Sequence, residues 1–299
     1  MPPSILPSRS PALHIHHYPR YTMAQPAAEL EDSPSWVDDD EFCKPRFQGD
    51  PRCRRSVMFK LKQILLLDVG HRHKRWGFAI VRTAYGPGSD EQFQYALALI
   101  GRIAQVEADS EAAGVKEDIA WKKKNSFQLD HIPVEVDTRP NDEIAHRYKN
   151  DILEDETRLD SASVATVREY FNQWVAAKEG TSISGDMRYA ACIMLDAETL
   201  AQLAKAPRDF PPEGSVGFGS PYWVKMVEAE PKPEDAFLVR VFGEYGLVQY
   251  WFDRNHRRWS AIDMTHTKDP ENPGIRCFGL PPSNATLGFP GFNAGLSGL

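Results

Sequence analysis

The stretch that most constrains the fold is residues 76 to 85, Trp-Gly-Phe-Ala-Ile-Val-Arg-Thr-Ala-Tyr. Large apolar residues at positions 76, 78 and 80 alternate with small or apolar ones, which is the period of a β-strand. Because neither face is polar, we expect an interior strand covered on two sides, or on one side by closely packed backbone. Gly86-Pro87-Gly88 ends the strand, so Arg82 and Tyr85 are predicted to lie at its exit.

The residues after this strand predict a helix. Ser89, with Gln92 three residues later, forms a capping-box pattern at the start of an apolar helical face. We therefore expect a helix from about residue 90 to 110, ending before Gly114.

Apolar spacing along the rest of the chain predicts further elements. They are an edge strand over 127–136, a helix from Pro140 in which Ile144, Tyr148 and Ile152 recur every four residues, a helix capped by Asp160 or Ser161, a strand over 187–195, a helix over 197–205 capped by Asp196, and strands over 222–227 and 236–242. Residues 247–252 fit either a hairpin strand or a helix.

The order strand, helix, strand occurs around residues 76–136 and again around 187–227. It predicts an α+β fold, ferredoxin-like or duplicated ferredoxin-like, with a mixed or antiparallel sheet and helices packed on one face. The proline-rich ends set the domain boundaries. We expect a largely disordered N-terminal extension over 1–62, a single α+β domain over 63–268, and a Gly/Pro-rich flexible tail over 269–299.

Three segments carry a resemblance to other proteins. They are the strand Trp76-Gly77-Phe78…Arg82-Thr83-x-Tyr85, the helix Val164-x-x-Val167-Arg168-x-x-Phe171-x-x-Trp174-Val175, and the strand Arg188-Tyr189…Cys192. Together they resemble a group of uncharacterised proteins from filamentous fungi, over roughly the middle two-thirds of the chain. The resemblance implies one domain with variable ends, and it supplies neither an activity nor a catalytic residue.

The charge and hydropathy of the chain restrict its surroundings. A net charge of -7 argues against non-specific binding to nucleic acid or to an acidic membrane, because both require a positive field. No run approaches the ~20 apolar residues that cross a bilayer, and no secretory signal is recognised. We expect an intracellular, cytoplasmic, soluble protein whose cysteines are reduced.

The candidate binding residues are Arg82, Tyr85 and His73. An arginine at a strand exit can hold an anion, and a tyrosine can donate a proton. The alternative is that Arg82 pairs with an acidic residue of the helix after Ser163 while Tyr85 packs at the strand end. No metal site is predicted from His71 and His73, because the neighbouring Arg and Lys residues oppose a cation. No cofactor is predicted either.

Three functions remain open, and no recognisable catalytic motif decides whether the protein is an enzyme. The first is a protein-interaction or accessory module, with the acidic, aromatic segment 29–42 as a docking element. The second is a small-molecule enzyme or binding protein with a cavity over the sheet. The third is binding of a phosphate-bearing ligand or nucleic acid through basic and aromatic clusters at 71–76, 121–124 and 254–259.

Overall fold

A computed structural model describes residues 75–125, 138–178, 187–210, 222–230, 238–242, 247–248, 250–251, 267–268 and 275–278 of the chain. The strands are β1 (Ala79–Arg82), β2 (Asp151–Leu153), β3 (Ala191–Leu195), β4 (Trp223–Glu228), β5 (Leu238–Phe242), β6 (Thr267–Lys268) and β7 (Ile275–Phe278). The helices are α1 (Ser89–Lys124), α2 (Arg139–Arg147), α3 (Glu156–Leu159), α4 (Val164–Ala176) and α5 (Ala197–Leu203), and a 3-10 turn covers Met187–Tyr189.

The described strands form one seven-stranded mixed sheet in the order β2-β1-β3-β4-β5-β7-β6. β1 is parallel to β2 on one side and to β3 on the other. β4 is antiparallel to β3 and to β5, β7 is parallel to β5, and β6 is antiparallel to β7. The prediction of a mixed sheet with helices is therefore confirmed.

The interior position predicted for the first strand is also confirmed. All four residues of β1 are buried. Ile80 belongs to a core cluster that includes Phe93 of α1, whereas Ala79 belongs to a second cluster that includes Phe171 of α4. Alternate residues of the strand thus contact opposite layers, which explains why neither face of this stretch is polar.

Helices cover both faces of the sheet rather than one. α1, α2 and α5 contribute to the first cluster, and α3 and α4 contribute to the second. The physical reason is the direction of the two crossovers, since the chain passes from β1 outward to β2 and then back across β1 to β3. Right-handed connections that run in opposite directions place their helices on opposite faces. The ferredoxin-like arrangement with helices on one face is not confirmed.

Two predicted boundaries on the first face differ from the structure. α1 continues through Gly114 to Lys124 instead of ending near residue 110. A single glycine costs about 1 kcal/mol in a helix, and strong helix formers surround this one. α2 ends at Arg147, and Ile152 lies in β2, paired with Ile80 of β1. Strand pairing with the core here outweighs the four-residue spacing of apolar side chains.

The other predicted elements have mixed outcomes. The helix after Asp196 and the strands near 222–227 and 236–242 are present, whereas α4 begins after Ser163 rather than Asp160 or Ser161. Residues 269–299 are predicted to be a flexible tail, but they include β7. This strand forms because its backbone pairs in parallel with β5. The strand predicted over 127–136 and the extension over 1–62 lie outside the described residues. Among the helices in the described part, none is long and apolar enough to cross a membrane.

Candidate functional site

The first residues of the stretch at 76–85 anchor the amino end of β1. Trp76 is fully buried, and its Nε1 donates a hydrogen bond to the carbonyl of Ile144 at 2.7 Å. Gly77 adopts a φ of 143°, a conformation that essentially only glycine adopts. Its carbonyl accepts a hydrogen bond of 2.8 Å from Nε1 of the buried Trp251. These residues are therefore structural.

At the opposite, carboxyl edge of the parallel strands, the connections to the helices diverge. The chain leaves β1 toward α1 on the first face, and it leaves the neighbouring β2 toward α3 on the second face. Where adjacent parallel strands send their connections to opposite faces, a crevice opens at their carboxyl ends, and open α/β sheets bind ligands there. We call this place the switch-point edge.

Arg82, the last residue of β1, spans the switch-point edge. Its Nε donates to the carbonyl of Ala84 at 2.8 Å, and its Nη2 donates to Ser89 Oγ at 2.9 Å. Nη2 also forms a close ion pair with Asp90 in the first turn of α1. Nη1 donates to Glu154 Oε1 at 3.1 Å, directly after β2. The side chain thus ties β1 to α1 and to β2.

Two aromatic rings and two carboxylates fix the charge of this arginine. The guanidinium carbon lies 4.6 Å from the ring centre of Tyr85 and 4.8 Å from that of Phe93. Burial alone would lower the pKa of Arg82, but hydrogen bonds to Asp90 and Glu154 outweigh it and raise the pKa. The edge therefore holds a permanent positive charge that contacts two aromatic rings and two carboxylates.

The hydroxyl of Tyr85 also spans the two strand ends. It donates to the carbonyl of Arg82 at 3.1 Å and accepts from the backbone N–H of Asp155 at 2.9 Å. Burial is the main cause that raises the pKa of Tyr85 to about 12. At neutral pH the phenol is protonated, and its proton is donated to the carbonyl of Arg82. This geometry suits Tyr85 to holding the ends of β1 and β2 in position.

The structure brings together two of the three residues predicted from the sequence. Arg82 and Tyr85 meet at the switch-point edge, whereas His73 lies outside the described residues. The alternative, in which Arg82 pairs with an acid of the helix after Ser163, names the wrong partners. The carboxylates belong to Asp90 and Glu154 instead, because α1 and the end of β2 flank β1 on that side.

Thr83 lies at this edge and was not among the binding residues predicted from the sequence. It is 2 % exposed, its backbone N–H donates to Leu195, and its carbonyl accepts from Ser161. Its Oγ1 has no hydrogen-bond partner in the described part of the chain. A threonine at the end of a buried strand is ordinary in sequence, so only the contacts reveal this hydroxyl.

A second ionic cluster lies at the same edge, beside β3. Lys225 of β4 contacts Asp196 closely and contacts Glu198 Oε2 at 2.6 Å. Asp196 Oδ1 also accepts from the backbone N–H and the hydroxyl of Thr199, which confirms its predicted role as the N-cap of α5. Burial would raise the pKa of Asp196, but the bonds from Lys225 and Thr199 together lower it. The cluster joins β3, β4 and α5.

Among the described residues, the first face of the sheet contains a small recess. It has a volume of about 20 Å³, room for roughly one water molecule, and its lining includes Ile100, Leu203 and Val224. Neither Arg82 nor Tyr85 lines it. Within the described ranges, no group of three or more His, Cys, Asp or Glu side chains is arranged to hold a metal ion. Comparison with protein-family models, curated proteins and solved structures yields no match to this chain.

Proposed function

We propose that the protein binds a small molecule at the switch-point edge, next to Arg82 and Tyr85. The observation that carries the proposal is that the connections after β1 and after β2 lead to helices on opposite faces of the sheet, with the buried cation Arg82 between them. Whether a reaction follows binding depends on the ligand.

The arrangement around Arg82 supports binding because it is rigid before any ligand arrives. Two rings, one carbonyl and one hydroxyl hold the guanidinium from the protein side. A preorganised group loses little conformational entropy when it binds, so more of its interaction energy appears as affinity. A flexible surface lysine would not offer this advantage.

The first test is a thermal-unfolding screen of the full chain with neutral, cationic and anionic metabolites. A ligand at ten times its Kd stabilises the folded state by about 1.4 kcal/mol, which raises the Tm by roughly 2–5 °C. We expect such a rise for one chemical class. It should be lost in Arg82→Lys, which keeps the charge without the fork, and kept in the control Arg168→Lys on α4.

Nuclear magnetic resonance on the wild-type chain keeps the proposal testable if Arg82→Lys fails to fold. The ligand should shift backbone amide signals of residues 83–91 and 154–161, which lie after β1 and after β2 at the switch-point edge. Shifts confined to other regions, or a screen in which no compound raises the Tm, would contradict the proposal.

A protein-interaction module is the second candidate, and the length of α1 favours it. Val106 is the last buried residue of this helix among those described, yet the helix continues for roughly 27 Å to Lys124. Described residues in this part, such as Lys116 and Glu117, are exposed. A polar helix that extends from a core is a suitable surface for a protein partner.

Affinity capture from cell extract tests this second candidate. A partner lost after Lys116→Glu with Lys124→Glu would support docking on α1, and one lost after removal of residues 1–50 would support docking through 29–42. A set of captured proteins unchanged by both would contradict the candidate. A cytoplasmic location stays a prediction. The phosphate or nucleic-acid alternative also stays a prediction, because residues 71–74 and 254–259 of its basic clusters lie outside the described residues.

A further inference from the structure

We infer that the ligand of the switch-point edge carries a carboxylate or phosphate group, and that Asp90 occupies the place of this group on Arg82 in the free protein. The inference rests on the proposed function and adds the chemical class of the ligand. It starts from the unequal exposure of the charged side chains.

Arg82 is buried, but the two carboxylates that pair with it are exposed to solvent. The side chain of Arg82 is 7 % exposed, whereas those of Asp90 and Glu154 are 86 % and 45 % exposed. The carboxylate of Asp90 lies mostly in water, so its release exposes little additional surface. The guanidinium of Arg82 is buried and is costly to leave unpaired, so Asp90 is expected to leave when another anion takes its place.

The hydrogen bonds of the guanidinium divide into fixed and exchangeable ones. Nε is held by the Ala84 carbonyl, and one bond of Nη2 is held by Ser89 Oγ, both buried. The bonds from Nη1 and Nη2 to Glu154 and Asp90 use one oxygen of each carboxylate. Arginine binds a single carboxylate or phosphate through two parallel N–H···O bonds. A ligand anion in the place of Asp90 can thus accept from Nη2 and, where it also displaces Glu154, from Nη1.

The position of Asp90 also favours an anion over a neutral ligand. Asp90 lies in the first turn of α1, where the backbone N–H groups of Ser89 and Gln92 donate to the carbonyls of Gly86 and Gly88. This end of the helix carries partial positive charge, and a bound anion gains from it together with Arg82. A ligand anion that replaces Asp90 would interact with the guanidinium of Arg82 and with the amino end of α1.

The test compares Asp90→Asn with Glu91→Gln in the full chain. Both substitutions remove one exposed carboxylate from the first turn of α1, but only Asp90 pairs with Arg82. Binding of inorganic phosphate and of succinate is measured by titration of backbone amide signals at residues 89–91. We expect at least one of these anions to bind about five-fold more tightly to Asp90→Asn, with less than a two-fold change for Glu91→Gln.

The outcomes separate this inference from the proposed function. A preference for phosphate over succinate, or the reverse, identifies which group the edge accepts. Equal effects of the two substitutions, or weaker binding to Asp90→Asn, would overturn the inference. If a neutral metabolite shifts the amides at 83–91 and 154–161 while neither anion binds, the proposed function stands and this inference fails.

Discussion

Gly77 offers a sharp test of the structure, because two independent features forbid a side chain there. Its φ of 143° lies in a region that L-residues rarely adopt. A Cβ at this position would lie 2.8 Å from the carbonyl carbon of Lys149 and closer still to its oxygen. The obstacle is backbone, so no side-chain rotation can relieve it.

The cost of Gly77→Ala follows from these two features. A residue held in such a φ region costs about 1–3 kcal/mol. Overpacking against a fixed neighbour costs about 1–3 kcal/mol more. Alanine reduces the entropy of the unfolded chain, which offsets roughly 0.4–1 kcal/mol. The expected destabilisation is about 1–6 kcal/mol, a large fraction of the ~5–15 kcal/mol typical of a folded domain.

The assay is urea unfolding of the full chain, followed by tryptophan fluorescence. The matched control is Gly101→Ala, because Gly101 lies inside α1 and a Cβ there would meet nothing within 4 Å. That substitution should stabilise the protein by about 0.5–1 kcal/mol through helix propensity. If Gly77→Ala unfolds within 1 kcal/mol of the wild type, the backbone at Gly77 does not have the conformation described.

Two further predictions concern pH. Since the pKa of Asp196 is lowered in the folded state, its carboxylate stabilises the protein above the ordinary pKa near 4, and this contribution is lost as the pH falls through the folded value. Asp196→Asn, which can still cap Thr199, should flatten the acid limb of the unfolding free energy; an unchanged limb would argue against the pair with Lys225. The pKa of Tyr85 is raised to about 12, so its contribution is complete below pH 10 and declines as the pH rises toward 12. Tyr85→Phe should flatten the alkaline limb and cost about 1–2 kcal/mol at pH 7, because the partly buried N–H of Asp155 loses its acceptor, and a loss below 0.5 kcal/mol would contradict that contact.

The sequence predicts the parts of this fold that depend on local pattern. The strand at 76–85 is recognisable because its two apolar faces reflect two covering layers, and Asp196 is recognisable because an N-cap needs only its own helix. Ile152 shows the limit of this approach. Its spacing from Ile144 fits a helix, but pairing with β1, more than 70 residues away in the chain, makes it a strand residue.

The candidate site is predictable only to the extent that a residue type reveals it. Arg82 and Tyr85 stand out as polar residues at the exit of an apolar strand. Their partners do not, since Glu154 and Asp155 lie in a different part of the chain and are one short acidic run among several. Asp90 meets Arg82 from the helix that directly follows β1, whereas Glu154 meets it only because β2 lies next to β1 in the sheet, and no local pattern encodes that strand order.

The energetics of Arg82 favour a role beyond stability. Burying an arginine removes its hydration, and pairing with carboxylates usually only balances that cost, so an apolar side chain would stabilise a strand end at least as well. Here the two carboxylates are exposed, so the pairs return less than buried ones would. The surrounding rings and hydrogen bonds therefore maintain a cation where stability alone does not require one. The proposed anion site depends on this cation, which lies where the connections of two paired parallel strands leave toward opposite faces of the sheet.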